Sequence, residues 1–136
     1  MGQQQLLLII LGVIVVGIAV AVGITMFKDN AVSANRDAVT NDLVNLASRA
    51  QQYYRRPAAL GGGEGKFDGL TDIKQLTSMP GGKNPNGTYT FTAGTGNGPV
   101  VITGKGTEIG YDGTSQVSVT MNVYPDSAKV DPSKTN

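Results

Sequence analysis

The chain has 136 residues, and its 11 basic side chains nearly cancel its 10 acidic ones. It therefore lacks the basic field that nucleic acid or an anionic lipid surface would select. It contains neither cysteine nor histidine, so disulfides and thiolate metal sites are excluded, and the usual zinc ligands and the commonest general base are missing. Its length allows one small domain beside any apolar segment, held together by packing or by association.

Residues 1–5, Met1-Gly2-Gln3-Gln4-Gln5, carry no side-chain charge and form a polar N-terminus. Residues 6–27 read LLLIILGVIVVGIAVAVGITMF, with no charge and with Thr25 as the only polar side chain. As a helix rising about 1.5 Å per residue, this run spans roughly 33 Å, enough to cross a hydrocarbon core of about 30 Å. Fifteen of its residues are Leu, Ile, Val or Phe, which favours membrane insertion by about 4 to 9 kcal/mol. It is too long for the apolar core of a signal peptide, and Lys28-Asp29-Asn30 follows it instead of a small-residue cleavage site. Gly12, Gly17 and Gly23 miss the GxxxG spacing, while Ala19 and Gly23 make a small-xxx-small pair. These positions are either ordinary glycines of a membrane helix or points of close approach in an assembly. Thr25 is expected to bond back to a carbonyl one turn earlier. Lys28 and Arg36 bias the C-terminal side weakly toward the cytoplasm, but a segment of this length is translocated largely regardless of such charges, so charge leaves the orientation undecided.

From residue 29 to residue 56 there is no Gly or Pro, and apolar residues recur at helical spacing. The stripe Val32, Val39, Leu43, Leu46, Ala50 and Tyr53 predicts that the helix continues through residues 28–56 as an amphipathic half. Ala31, Ala38, Ala47 and Tyr54 flank this seam, and Asn35, Arg36, Asn41, Asn45 and Arg49 are read as its wet side. Pro57 ends the helix, and Gly61-Gly62-Gly63 opens a glycine-rich connection over residues 57–87. Within it, residues 70–79 (LTDIKQLTSM) are expected to form a short helix with Leu70, Ile73 and Leu76 on one side, stopped by Pro80-Gly81-Gly82.

Asn84-Pro85-Asn86-Gly87 is a turn signal. It introduces a head over residues 88–125 in which Tyr89, Phe91 and Ala93 alternate with threonines. Residues 99–103 supply the hairpin partner, and Gly104-Lys105-Gly106 is read as another turn. A short strand carrying Ile109 and Tyr111 then meets Asp112-Gly113, read as a type I′ hairpin turn. Residues 115–124 return with Val117, Val119, Met121 and Val123 on one face. Residues 126–136 are expected to be a loose tail. The fold class is α+β: a four-stranded antiparallel meander whose single apolar face needs a cover, which the seam from Val32 to Tyr53 can provide.

No constellation for catalysis, cofactor binding or metal ligation is present in this pattern. Asp68 and Asp72 are read as a solvated turn, and no glycine run sits between a strand and a helix as a phosphate loop requires. Tyr53, Tyr54 and Phe27 are read as packing residues, since no haem motif or metal ligand accompanies them. Asn86-Gly87-Thr88 matches the N-glycosylation sequon. The chain is thus read as a non-enzyme without cofactors.

An uncharged start, an apolar helix continuing into an amphipathic half, a glycine-rich connection and a small antiparallel sheet together resemble a type IV pilin or pseudopilin. Taking Met1 as the mature start, Gln5 and the following Leu6-Leu7-Leu8 fall where that family places a glutamate and a leucine pair. The resemblance implies a structural subunit that is membrane-inserted before assembly. It would then reach the cell surface as a homopolymeric filament with the help of assembly machinery. Gln5, Leu6, Leu7, Leu8, Leu11, Gly12, Val15, Gly17, Ala19, Gly23 and Phe27 would be its assembly residues. The chain departs from the family pattern in four ways: Gln5 offers a carbonyl oxygen but no charge, no leader is visible, no helix-breaking Pro lies inside the apolar run, and no cysteine can bound a C-terminal loop. The alternatives are a single-pass envelope protein whose β head binds a ligand or partner, and a minor pseudopilin of a secretion machine.

Overall fold

The computed structural model describes residues 2–136, so the reading of Met1 as the mature start lies outside the described residues. One helix, α1 (Gly2–Arg55), is followed by five strands: β1 (Lys83–Asn84), β2 (Gly87–Thr92), β3 (Val100–Ile109), β4 (Gln116–Val123) and β5 (Ala128–Val130). The strands form a single antiparallel sheet in chain order, packed against the C-terminal half of α1. The chain forms two compact units, one ending at Ala31 and the other being Val32–Asn136. Within α1, Thr25 Oγ1 donates to the Ala21 carbonyl at 3.1 Å, the one-turn back-bond its position predicts.

In the second unit, the 3.6-residue period decides which side of the helix is covered. Val32, Val39, Leu43, Leu46, Ala50 and Tyr53 are all buried, with Ala47 joining them. Facing them are Tyr89 from β2, Val100 and Ile102 from β3, and Val117, Val119, Met121 and Val123 from β4. Phe67, Leu70, Ile73 and Leu76 of the connection close the core. Burying an aliphatic side chain of this kind contributes about 1.5 to 3 kcal/mol before entropy is counted.

The helix ends where Pro57 forbids continuation, and the glycine-rich connection then folds back onto the helix terminus. The amides of Gly63, Glu64 and Gly65 donate to the carbonyls of Tyr53, Arg56 and Tyr54, satisfying groups that a helix end leaves open. Only a residue without a Cβ fits at Gly63, where the added carbon would lie 2.0 Å from the Lys66 carbonyl oxygen.

Five expectations are corrected. Residues 70–79 hold no α-helix, only a single 3₁₀ turn at Ile73–Gln75. Asp72 and Gln75 form a capping box around it, so the three-residue spacing of Leu70, Ile73 and Leu76 reflects tight turns. Gly104-Lys105-Gly106 is not a turn; it lies inside β3, where Val100, Ile102, Gly104 and Gly106 share the buried face. Asp112-Gly113 is not a two-residue type I′ turn either. The connection runs from Gly110 to Ser115, and of Asp112 and Gly113 only Gly113 has a positive φ. The Asp112 carboxylate organises this loop by accepting from the amides of Thr114 and Ser115 at 3.0 Å each and from the Ser115 hydroxyl. Finally, the sheet has five strands instead of four, and the tail is ordered. β5 pairs with β4, the Asp131 amide donates to Thr120 O, and the Asn136 amide donates to Ser118 O. Thr120, buried on the face away from the helix, donates its hydroxyl to Lys134 O at 3.3 Å. The tail therefore covers the outer face of β4.

Candidate functional site

The sequence-predicted assembly residues all lie on α1. From Leu6 to Phe27 the large apolar side chains are exposed, from 52% at Val22 to 79% at Phe27. Monomeric soluble proteins rarely show contiguous apolar patches beyond a few hundred Å², so this surface calls for lipid or for other apolar helices. The helix is long and apolar enough to cross a membrane. Helical periodicity sorts the assembly residues by face. Gln5, Gly12, Ala19 and Gly23 fall in one line, flanked by Leu8, Val15 and Phe27. Leu6, Leu7, Leu11 and Gly17 lie more than a quarter-turn away from it. Nothing within 4 Å would meet a Cβ at Gly12, Gly17 or Gly23, so space within the chain does not account for these glycines.

The head carries a polar centre that sequence reading missed. Asp42, on the margin of the buried seam, accepts three hydrogen bonds at one oxygen, Oδ2: from Asn84 Nδ2 at 2.7 Å, Asn86 Nδ2 at 2.9 Å and the Tyr89 hydroxyl at 2.6 Å. Burial pushes the Asp42 carboxyl up, but the bonds from Asn86, Tyr89 and Asn84 outweigh it and hold the group below the usual carboxylate range. Burial, and then the adjacent Asp42 carboxylate, push the Tyr89 hydroxyl well above its ordinary value. Two turns earlier, Asn35 donates from Nδ2 to Asn86 O at 2.9 Å, and its Oδ1 accepts from the amides of Thr107 and Glu108. These amides sit where the β3–β4 register shifts between Lys105 and Ile109, so Asn35 satisfies the groups that a bulge leaves unpaired.

Asn35 is thus a clamp, not part of a wet face. Arg36 is also half-buried, with its guanidinium carbon 5.4 Å from the centroid of the Tyr111 ring, and Arg49 Nη1 donates to Leu76 O at 2.9 Å. Asn86 is half-buried, and the nitrogen that a glycan would use is the one that donates to Asp42. Asp68 accepts from the Gly96 amide, and Asp72 caps the 3₁₀ turn, so each acts as a turn former. Tyr54 packs on Phe67 with ring centroids 4.8 Å apart. Among the described residues no group of three or more His, Cys, Asp or Glu could hold a metal.

The Asp42 centre has a consequence for acid stability. A carboxyl whose folded value is depressed below its unfolded value stabilises the fold above the unfolded value, and this contribution is lost as pH falls through the folded one. Thermal melts should therefore show stability declining as pH drops below about 4. Asp42→Asn should cost about 1 to 2 kcal/mol at neutral pH and flatten that acid limb. An acid limb as steep in the variant as in the parent would assign the effect to other carboxylates, such as Asp112 and Asp131, which hydrogen bonds also hold low.

The signals for this centre were local only in part. Asp42 stood beside the seam, and asparagines flanked the turn before β2, but the pairing joins residues more than 40 positions apart. No protein-family model, curated protein or solved structure matches this chain.

Proposed function

We propose that this chain is the structural subunit of an extracellular filament of the type IV pilus kind. It would be held in the membrane by residues 6–27 before assembly and then polymerised by bundling those helices. The supporting observation is the contrast along one unbroken helix. Its C-terminal half is covered by a sheet, whereas its uncharged N-terminal run keeps its apolar side chains exposed. Identical copies can cover one another there, and contacts that do not close on themselves propagate a filament. The line of Gln5, Gly12, Ala19 and Gly23 offers low relief for close helix approach, and Gln5 would meet a neighbour through hydrogen bonds without a carboxylate charge.

Electron microscopy of surface filaments sheared from producing cells, with mass spectrometry of their subunits, tests this reading. The expected result is filaments made mainly of this chain. Abundant protein in membranes with none in filaments would overturn it and favour the monomeric anchor. A trace component within filaments of another subunit would favour the minor pseudopilin.

A further inference from the structure

The C-terminal end of α1 is a locally cationic surface in a chain that is otherwise nearly neutral. Between Leu43 and Gly63 there are three arginines, Arg49, Arg55 and Arg56, and no Asp or Glu. A half-open cleft of about 410 Å³ lies there, lined by Arg49, Gln52 and Tyr53 of the helix, Arg56 just beyond its end, Gly61 of the connection, and Gln75 and Leu76 of the 3₁₀ segment. A smaller cleft of about 220 Å³ adjoins it at Gln52 and includes Arg55.

The hydrogen bonds around the larger cleft engage the acceptors of Gln75 and Leu76 and leave guanidinium donors of Arg49 and Arg56 unspent. Gln75 Oε1 already accepts from the amides of Thr71 and Asp72, at 2.7 and 3.0 Å. Gln75 Nε2 is engaged with Gly69 O, and Leu76 O accepts from Arg49 Nη1. That last bond fixes the Arg49 guanidinium by one nitrogen and leaves its other donors unspent, a preorganised fork suited to an oxyanion. No carboxylate lines the cleft. Among the described residues, neither guanidinium meets one within 4.0 Å, and Asp72, whose Oδ1 accepts from the Lys74 amide, is not among the residues that line the cleft. Arg49 lies within α1 and Arg56 follows its last residue, and both line the cleft, so two guanidiniums are available to a ligand with more than one anionic group.

We propose that this cleft binds a polyvalent phosphate-type oxyanion carried by a small soluble ligand. The volume accommodates a diphosphate, and the unspent guanidinium N–H groups facing it are donors of the kind that phosphate oxygens require. Filament formation is not a premise, because the cleft lies within a single chain.

Titration calorimetry of the 136-residue chain in a neutral detergent, with inorganic pyrophosphate as the probe, tests the proposal. Saturable binding at one site per chain is expected. Arg56→Gln, an exposed position unimportant for packing, should weaken it about tenfold or more. Lys105→Gln, which removes the same charge from exposed β3, should leave the affinity unchanged. No saturable binding, equal weakening by Lys105→Gln, or binding that survives Arg56→Gln would each overturn the proposal. Preference for citrate over pyrophosphate would overturn the phosphate assignment. None of these outcomes bears on whether filaments form.

Discussion

Gly106→Ala is expected to destabilise the head by about 2 to 4 kcal/mol, and Gly104→Ala by about 1 to 3 kcal/mol. A Cβ on Gly106 would lie 1.9 Å from Asn35 Oδ1, so the Asn35 carboxamide must leave and forfeit its bonds with Thr107 and Glu108. A Cβ on Gly104 would lie 2.6 Å from Val39 Cγ1 and 2.9 Å from Tyr89 Cε1, both deep in the core. Neither glycine has a positive φ, so the requirement at both is space. Gly113 makes the opposite case: its φ is +71° and a Cβ there meets nothing within 4 Å. Gly113→Ala should therefore cost only about 1 kcal/mol of backbone strain. Urea or thermal melts followed by circular dichroism would rank the three, and for a domain near a hundred residues 1 kcal/mol corresponds to about 4 to 8 °C. If Gly106→Ala melts with the parent, the close approach of helix and strand is not what these glycines serve.

The same two glycines show where sequence reading stops. Gly-x-Gly is turn chemistry in isolation, but at alternate positions of a strand it marks one face on which another element sits close. Only the position of α1 decides between these meanings. The seam from Val32 to Tyr53 was legible because its period is a property of the helix itself and its burial follows from that period. The 3₁₀ turn at Ile73–Gln75 was misread because apolar spacing of three serves both a short helix and a tight turn. Asp72 and Gln75 resolve it by closing a capping box on each other. The tail was misread because its order rests on backbone groups, such as the amides of Asp131 and Asn136 bonding to β4, which side-chain polarity does not report. Asp42 and Asn35 are polar residues on a helix, and what gives them structural roles are partners supplied by the fold. Arg49 and Arg56 were visible as charges, but the cleft between them exists only once Gln75 and Leu76 are brought alongside.

Leu11→Asp and Val15→Asp are each expected to abolish filament assembly while leaving the head folded. Both positions lie in the exposed apolar run, and Leu11 is 57% exposed and Val15 56%. Exchanging an aliphatic residue for Asp in an apolar helical environment costs about 3 to 4 kcal/mol per chain. In a bundle of identical helices the carboxylate recurs in every subunit with no basic residue among residues 6–27 to pair with it. A loss of that size raises the concentration needed for assembly by about two to three orders of magnitude. Membrane retention is less sensitive, because the remaining apolar residues still favour insertion. The variants should therefore fractionate with membranes, and circular dichroism of the detergent-solubilised proteins should show a head that melts with the parent's. Leu60→Asp, at a position 71% exposed in the glycine-rich connection, is the matched control and should assemble normally. Normal filaments from Leu11→Asp or Val15→Asp would sink the bundled-core account. Loss of both variants from the membrane fraction would show that the charge acts on insertion, in which case Gly12→Leu, which keeps the run apolar but fills its low-relief line, becomes the deciding variant. It should insert and fail to polymerise if the helices pack closely along that line.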